Sequence, residues 1–331
     1  MDEAFEMYVS LHPRWKPSTR YNKRNAYNAY IKPSFGKKRV ADIRLSQIKR
    51  LYIELQEERG LSYNTVKLAH TVLHAIFESL VQDDVIRKNP ADKALDGVEI
   101  NRVEKKTALS LAEQNRLVEF METSFRFLYW RPLITFLLGT GARIGEACAL
   151  RWKNVDFSAG IIHIRENLIQ YKEENVLIRE YTTVKTSAGE RDIPMLDEVK
   201  DALWGQYCRA TIKKRRADIS DELVFVTKFG APLKQGYAAK IIHNIREDCN
   251  LSESLIAKEE GREPILLPEF TPHILRHTFC TRLCEQGVNV KVVQTVMGHS
   301  DIQTTMNVYT DADSAFIKTS FRELNGKIRM A

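Results

Sequence analysis

The chain has 331 residues, 44% of them hydrophobic, and a net charge of +7; its pI is about 9.0. That length suits two domains with packed cores, and the basic balance favours an anionic partner. The longest apolar run, around Leu133 to Leu138, is too short to cross a bilayer, and the acidic start MDEAFEMYVS is no secretory signal. Five cysteines (Cys148, Cys208, Cys249, Cys280, Cys284) make no paired framework, so a secreted disulfide scaffold is excluded and a reducing cytoplasm is expected.

Residues 1–90 read as a small helical bundle. The first helix carries Phe5, Tyr8 and Val9. Ser18 caps a second, through Tyr27, Tyr30 and Ile31, which Pro33 should stop. Ser46 caps a third with Ile48, Leu51 and Leu55, ended by Gly60. Ser62 caps a fourth, whose stripe of Val66, Ala69, Leu73, Ile76, Phe77 and Leu80 is the cleanest in the chain. Arg14, Lys16, Arg20, Lys23 and Arg24 crowd the entry to the second helix, and Lys32, Lys37, Lys38 and Arg39 its exit. Singly, each reads as a solvated cation. Clustered beside Tyr21, Asn22 and Asn25, they read as a DNA-facing surface, since phosphates attract Lys and Arg and base edges suit Asn and Arg.

Residues 91–107 show no period and read as a linker. A second domain, 108–310, opens on the capping box of Ser110 and Glu113. The run FLYWRPLITFLLG predicts a buried helix in which Pro132 marks a kink or a late start. GTGARIGEACALRW (139–152) follows. A phosphate-loop reading of its glycines is weak, because no Lys-Ser/Thr follows them and no strand precedes them. A tight turn that points Arg143 into a cleft, braced by Glu146 on the same short helix, is the alternative; an ordinary surface ion pair is the other. Strands are expected at 161–167 and as a hairpin over 169–184, then a turn at 186–190 and a return strand at 191–195, with Lys185 at the tip. Asp197 should cap a helix through Val199, Leu203 and Tyr207. LVFV (223–226) reads as a strand, 235–249 as a helix and 250–270 as a charged loop.

Thr271 and Pro272 start a helix carrying His273 and Arg276 on one face. Gly287 ends it. Asn289 caps the next helix (Val290, Val293, Val296), Gly298 closes that one, and Ser300 caps a last one through Ile302 and Met306 to Tyr309. Arg143, Lys185, His273, Arg276, His299 and Tyr309 together suit attack of an oxygen nucleophile on a phosphodiester. Arginine forks match the charge building on the non-bridging oxygens. Histidine can take the phenol proton or hold a phosphate oxygen, and lysine can protonate a leaving 5′ oxygen. A tyrosine ester keeps the bond energy, so no nucleotide cofactor or metal is called for.

TGARIGEACALRW, VKTSAGERDIP, TPHILRHTFCT and GHSDIQTTMNVY, in this order, resemble the tyrosine recombinase (phage integrase) family, and most of all integrases of Gram-positive conjugative transposons. The resemblance implies a mainly α fold with a small antiparallel β-sheet. It comprises an N-terminal helical bundle (a SAM-like core-binding domain) and a mixed α+β catalytic domain. Arg143 and Arg276 would clamp the scissile phosphate, with Glu146 bracing the first. Lys185 would be the general acid, His273 an acid/base partner and His299 a phosphate hydrogen-bond donor. Tyr309 would be the nucleophile that yields a 3′-phosphotyrosine. It also implies duplex DNA at a transposon end or attachment-site core as substrate, a homodimer on one site, a tetramer in synapsis, a Holliday junction, and residence in the bacterial cytoplasm on the nucleoid. An excisionase and a DNA-bending host protein would be its accessory partners. Many such integrases carry a further N-terminal arm-binding domain; nothing precedes the bundle here, so the chain is a fragment or lacks it.

Three competitors stand beside this reading. His273, His277, Cys280 and Cys284 could form a zinc face, although Cys280 sits beside Phe279 in the apolar stripe. A catalytically inactive DNA-binding protein on the same fold is the second, and a type IB topoisomerase-like relaxing enzyme the third. The tail 311–331, with Phe316, Ile317, Phe321 and Leu324 on one helical face, would pack on its own domain or dock on a neighbouring protomer.

Overall fold

The computed structural model describes residues 1–98, 108–173, 176–183, 189–215 and 218–310, with backbone alone at 172–173 and 309–310. The chain divides into two compact units, Met1–Lys105 with Gln170–Arg179 and Lys106–Ile169 with Glu180–Ala331. Among the described residues no helix is long and apolar enough to cross a membrane.

The first unit is built from α1 (Asp2–Ser10), α2 (Pro17–Ala26), α3 (Lys32–Phe35), α4 (Leu45–Ile53) and α5 (Tyr63–Gln82). Pro33 does not stop the second helix. A π-helical turn, Tyr27–Ile31, re-registers the ladder ahead of it. Pro33 then falls in the first turn of α3, where a missing N–H costs least. Ser18 and Ser46 are not caps either: α2 starts at Pro17, and α4 at Leu45, where Gln47 Oε1 accepts from Arg44 N at 3.0 Å. Ser62 does cap α5, accepting from Thr65 N at 3.4 Å.

The bundle's core is apolar and aromatic. Phe5 stacks on Tyr27 with ring centroids 3.9 Å apart, and Leu55, Leu73, Ile76 and Phe77 are fully buried. Each such side chain contributes about 1.5–3 kcal/mol of burial. Two of the buried phenols find partners: Tyr27 O–H donates to Asp2 Oδ1 at 2.7 Å, and Tyr52 O–H lies 3.1 Å from His70 Nδ1. Ala91 and Ala94 belong to the same core.

The second unit opens on α6 (Leu111–Thr123), where Ser110 and Glu113 cap each other's backbone N–H at 2.7 and 3.2 Å. Pro132 marks a late start, because α7 runs Arg131–Thr140 with the proline in its first turn. Along the chain then come α8 (Ile144–Ala149), β1 (Val155–Asp156), β2 (Ile161–Ile164), β3 (Glu166–Glu173), β4 (Val176–Thr183) and β5 (Arg191–Pro194), with Gln170–Arg179 of β3 and β4 counted in the first unit. The expected return strand does not pair with β4. It pairs antiparallel with β2, in a sheet of order β1-β2-β5, while β3 and β4 form a separate two-stranded ribbon. Pairing with β2 sets buried Ile162 opposite Ile193 and buried Ile164 opposite Arg191, partners that β4, with its outward-facing residues, cannot offer.

Helices α9 (Asp197–Lys214), α10 (Gln235–Glu260), α11 (Pro272–Glu285), α12 (Val290–Met297) and α13 (Ile302–Thr310) complete the unit. Asp197 is the first residue of α9 and Leu196 its cap position. LVFV forms two isolated bridges, Arg151 to Leu223 and Val226 to Pro232, rather than a strand. Helix α10 overruns its expected end, so only 261–271 is loop. Its charged last turns are held by buried Glu253, which accepts from Arg262 Nη1 at 2.6 Å and pairs with Arg116 Nε at 2.9 Å.

Candidate active site

The site is assembled where α7 ends, α8 begins and α12 ends. Gly141 closes α7 in the left-handed region, at φ 60°. A Cβ there would meet Phe279 Cδ1 at 2.6 Å and Met297 Sδ at 2.9 Å, so glycine is required both by backbone and by space. The turn leaves Arg143 as the N-cap of α8. Glu146 Oε2 accepts the Arg143 N–H at 2.7 Å, and Oε1 accepts Arg143 Nη1 at 2.8 Å. The bracing carboxylate expected from sequence is therefore in place, and it is almost wholly buried, at 2% exposed.

A second arginine shares that carboxylate. Arg191, also buried, donates Nη1 to Oε1 at 3.0 Å and Nη2 to Oε2 at 2.8 Å. It opens β5, and the strand's two-residue period puts it on the same inward face as Ile193. Burial by itself would raise the Glu146 pKa, but the Arg191 hydrogen bonds, then the charges of Arg191 and Arg143, pull it down to about 2.

Arg276 lies three residues after His273 on α11. Its Nη1 donates to Gly141 O at 2.6 Å and its Nη2 to Met297 O. It is 2% exposed, and burial, then the nearby Arg143, lowers its pKa to about 9. Arg143 Nη2 donates to Gly298 O at 3.2 Å, and Arg191 Nε to Val296 O at 2.6 Å. Three arginines from three elements thus end on the consecutive carbonyls of Val296, Met297 and Gly298. A helix C-terminus carries unsatisfied carbonyls and a partial negative charge, so it suits them. Gly298, at φ 64°, then turns the chain away.

That turn delivers His299, whose Nδ1 lies 2.9 Å from the hydroxyl of buried Thr305. Its backbone is fixed as well: Gln294 O accepts the His299 N–H and Gln294 Nε2 donates to His299 O at 3.1 Å. Burial, then the charges of Arg276, Arg143 and Arg191, lower the His299 pKa to about 4. His273 is exposed, yet loss of hydration against the site wall and the charge of Arg276 also lower its pKa. Both rings are neutral at pH 7, free to accept a proton or to hydrogen-bond a phosphate oxygen.

The cap of α13 is Asp301, not Ser300: its Oδ1 accepts from Gln303 N at 2.9 Å. It packs inward through Thr305 and Val308, while Ile302 and Met306 face out. Tyr309 stands in its last turn; its side chain, all of Lys185 and the tail 311–331 lie outside the described residues. Cys280 and Cys284 point into the core with Phe279, away from exposed His273. Among the described residues no cluster of three His, Cys, Asp or Glu could hold a metal.

Of the bundle cations, Arg14, Lys16, Lys37 and Lys38 are exposed. Lys23 lies 4.9 Å over the Trp15 ring and 5.6 Å over Tyr8. Arg24 forks onto Glu6 at 2.6 and 2.9 Å, and Arg20 donates to Pro13 O at 3.3 Å. Arg191 and Thr305 are the site residues missed by sequence reasoning. Arg191 left one signal, its alternation with Ile193; Thr305 left none.

Residues 108–315 match the model of the phage integrase family, and residues 3–56 match that of the phage integrase N-terminal SAM-like domain. The transposase from transposon Tn916 of Enterococcus faecalis is 29% identical over 315 residues, 95% of this chain and 74% of that protein. A XerC-like tyrosine recombinase from Caldanaerobacter subterraneus subsp. tengcongensis is 26% identical, over 89% of this chain and 74% of its own length. Among solved structures, a Tn1549 transposon integrase in complex with transposon right end DNA superposes with a TM-score of 0.82 at 28% identity, covering 98% of this chain and 99% of that one. The arginine-lined site, on this fold and in this order of motifs, makes the chain a member of the phage integrase family and a site-specific tyrosine recombinase.

Proposed function

We propose that the enzyme cuts and rejoins duplex DNA at the ends of a mobile element, for its integration and excision, with residues 1–90 and 108–310 as DNA-binding and catalytic domains joined by 91–107. Arg143 and Arg276 clamp the scissile phosphate. Tyr309 attacks phosphorus, the bond to the 5′ oxygen breaks, and Lys185 supplies the proton that the departing oxygen needs. His273 takes the phenol proton and His299 hydrogen-bonds a phosphate oxygen. Attack of a partner strand's 5′ hydroxyl then reverses the step, passing through a Holliday junction. Two protomers on one site and four in synapsis follow from the need to exchange two duplexes. We further place the enzyme on the nucleoid in the cytoplasm, with an excisionase and a DNA-bending host protein as accessory partners.

The observation that carries this reading is the seating of Arg143 and Arg276 on the adjoining carbonyls of Gly298 and Met297, with two neutral imidazoles beside them. Fixed cations of this kind need no reorganisation as charge develops on the phosphorane. The Tn1549 integrase bound to circular intermediate DNA supports the mobile-element reading. Exposed Arg14, Lys16, Lys37 and Lys38 suit the DNA backbone. The tail 311–331 is assigned to docking on a neighbouring protomer, and α13 to a helix that swings until partners assemble.

A nicked suicide substrate tests the chemistry. Wild type should form a covalent adduct, seen as a shifted band on a denaturing gel, and Tyr309→Phe should form none. An adduct in the variant would overturn the assignment of the nucleophile. Removal of residues 312–331 should abolish tetramers on DNA if the tail docks in trans.

A further inference from the structure

We propose that Arg191 is a positioning residue for strand cleavage, acting through Glu146 to set the guanidinium of Arg143; this rests on the reading of Arg143 as a phosphate clamp. Arg191 is buried, and its donors are taken up by fixed acceptors: both oxygens of Glu146, the carbonyl of Val296 at 2.6 Å and that of Gly189 at 3.3 Å. Four of its five N–H groups are thus taken up, and the residue is only 5% exposed. What it governs is the carboxylate that holds Arg143.

Glu146 receives two donors from each arginine's residue: Nη1 and Nη2 of Arg191, the backbone N–H and Nη1 of Arg143. A buried carboxylate facing Arg143 alone would cancel its charge and draw the guanidinium in. Arg191 supplies the compensating charge, so the trio keeps one net positive charge, and that charge stands on Arg143, the partly exposed member at 42%. The bidentate fork also fixes the carboxylate plane, which an ammonium cannot do. Its Nε bond to Val296 O ties this unit to the helix end that leads into His299.

A purely structural role, tethering β5 to α12, predicts something different, and coupling to Glu146 separates the two. Adduct formation on the suicide substrate is measured in single turnovers at saturating DNA, with DNA affinity and thermal melting alongside, for R191K, E146Q, E146Q/R191K and R143A. R191K should slow cleavage roughly 100-fold, the effect of a misplaced catalytic group, with DNA affinity near wild type. The double variant should be no more than about 3-fold slower than the slower single, because both changes break one chain. Wild-type cleavage by R191K, or a double variant slowed by the product of the singles, would overturn the proposal. If R191K does not melt cooperatively, the neutral pair E146Q/R191M is compared with E146Q: equal rates are expected, and a further loss of about tenfold or more sinks the idea. R143A cleaving at the wild-type rate would refute the clamp itself, whereas slow R143A with fast R191K refutes only the positioning role.

Discussion

Among the described residues of the bundle no charged side chain is buried, and its basic residues stand at the surface or fold onto aromatic rings; in the catalytic unit Glu146, Arg191, Glu253 and Arg276 are all buried. Burying a charge costs several kcal/mol unless it is paired and hydrogen-bonded. A DNA-binding surface has no need of that, because phosphates are met in water, where exposed cations suffice. A cleavage site does need it. Cations held in low dielectric act more strongly on a developing charge and do not have to be reoriented. On the proposed function, the contrast is between cations for holding DNA and cations for reacting with it.

The contrast breaks first at Arg276. Arg276→Ala should cut single-turnover cleavage by roughly 10²–10³-fold, while DNA affinity changes little. A loss of affinity in proportion would place Arg276 with the surface cations. Next is the bundle's core. Ile76→Ala should destabilise the protein by about 2–5 kcal/mol in denaturant melts, yet cleavage per bound complex should hold. Changing Lys37 and Lys38 to Ala should weaken DNA binding and lower the salt-dependence slope by about 2, with the cleavage rate of saturated complexes intact. An unchanged slope would remove these residues from the interface.

The smallest expected effect is a pH dependence. His299 titrates near 4 in the folded chain, and His273 is lowered too, whereas unfolded imidazoles titrate near ~6.5. The unfolded chain therefore binds protons first, and the stability gained by keeping these rings neutral is full above about pH 6.5 and lost as pH falls towards 4. For a half-buried ring the loss is on the order of 1–2 kcal/mol once solvent screening is allowed for. Melting temperatures of wild type and His299→Asn should converge or cross as pH falls from 7 to 4.5. Parallel curves would show that His299 is as free to protonate as a surface histidine.

Local signals were readable where a residue's partner is near in sequence. The capping box of Ser110 and Glu113, the caps Ser62 and Asn289, the turn at Gly141 and the brace of Arg143 by Glu146 all span a few positions. Signals failed where the partner is distant. Helix α10 runs on to Glu260 because Glu253 meets Arg116 from another helix, so a charged stretch that looked like loop is stabilised by an ion pair no local window contains. The strand at Arg191 was found but its partner was not, since β2 lies beyond an intervening ribbon. Lys23 and Arg24, read in the sequence as part of a DNA-facing cluster, also meet Trp15 and Glu6, contacts that no local window contains.

The proposed catalytic set is legible from residue type and order, with its roles implied by the family resemblance, because phosphoryl transfer calls for charges and a nucleophile that few other functions would require together. Folding settled something else: that Arg143, Arg191 and Arg276, from three separate elements, converge on the last carbonyls of α12. Helix capping is short-ranged, but which side chains arrive at a given cap is fixed by packing of the whole unit. That is why Arg191 and Thr305 carried no legible role in the chain and acquire one in the fold.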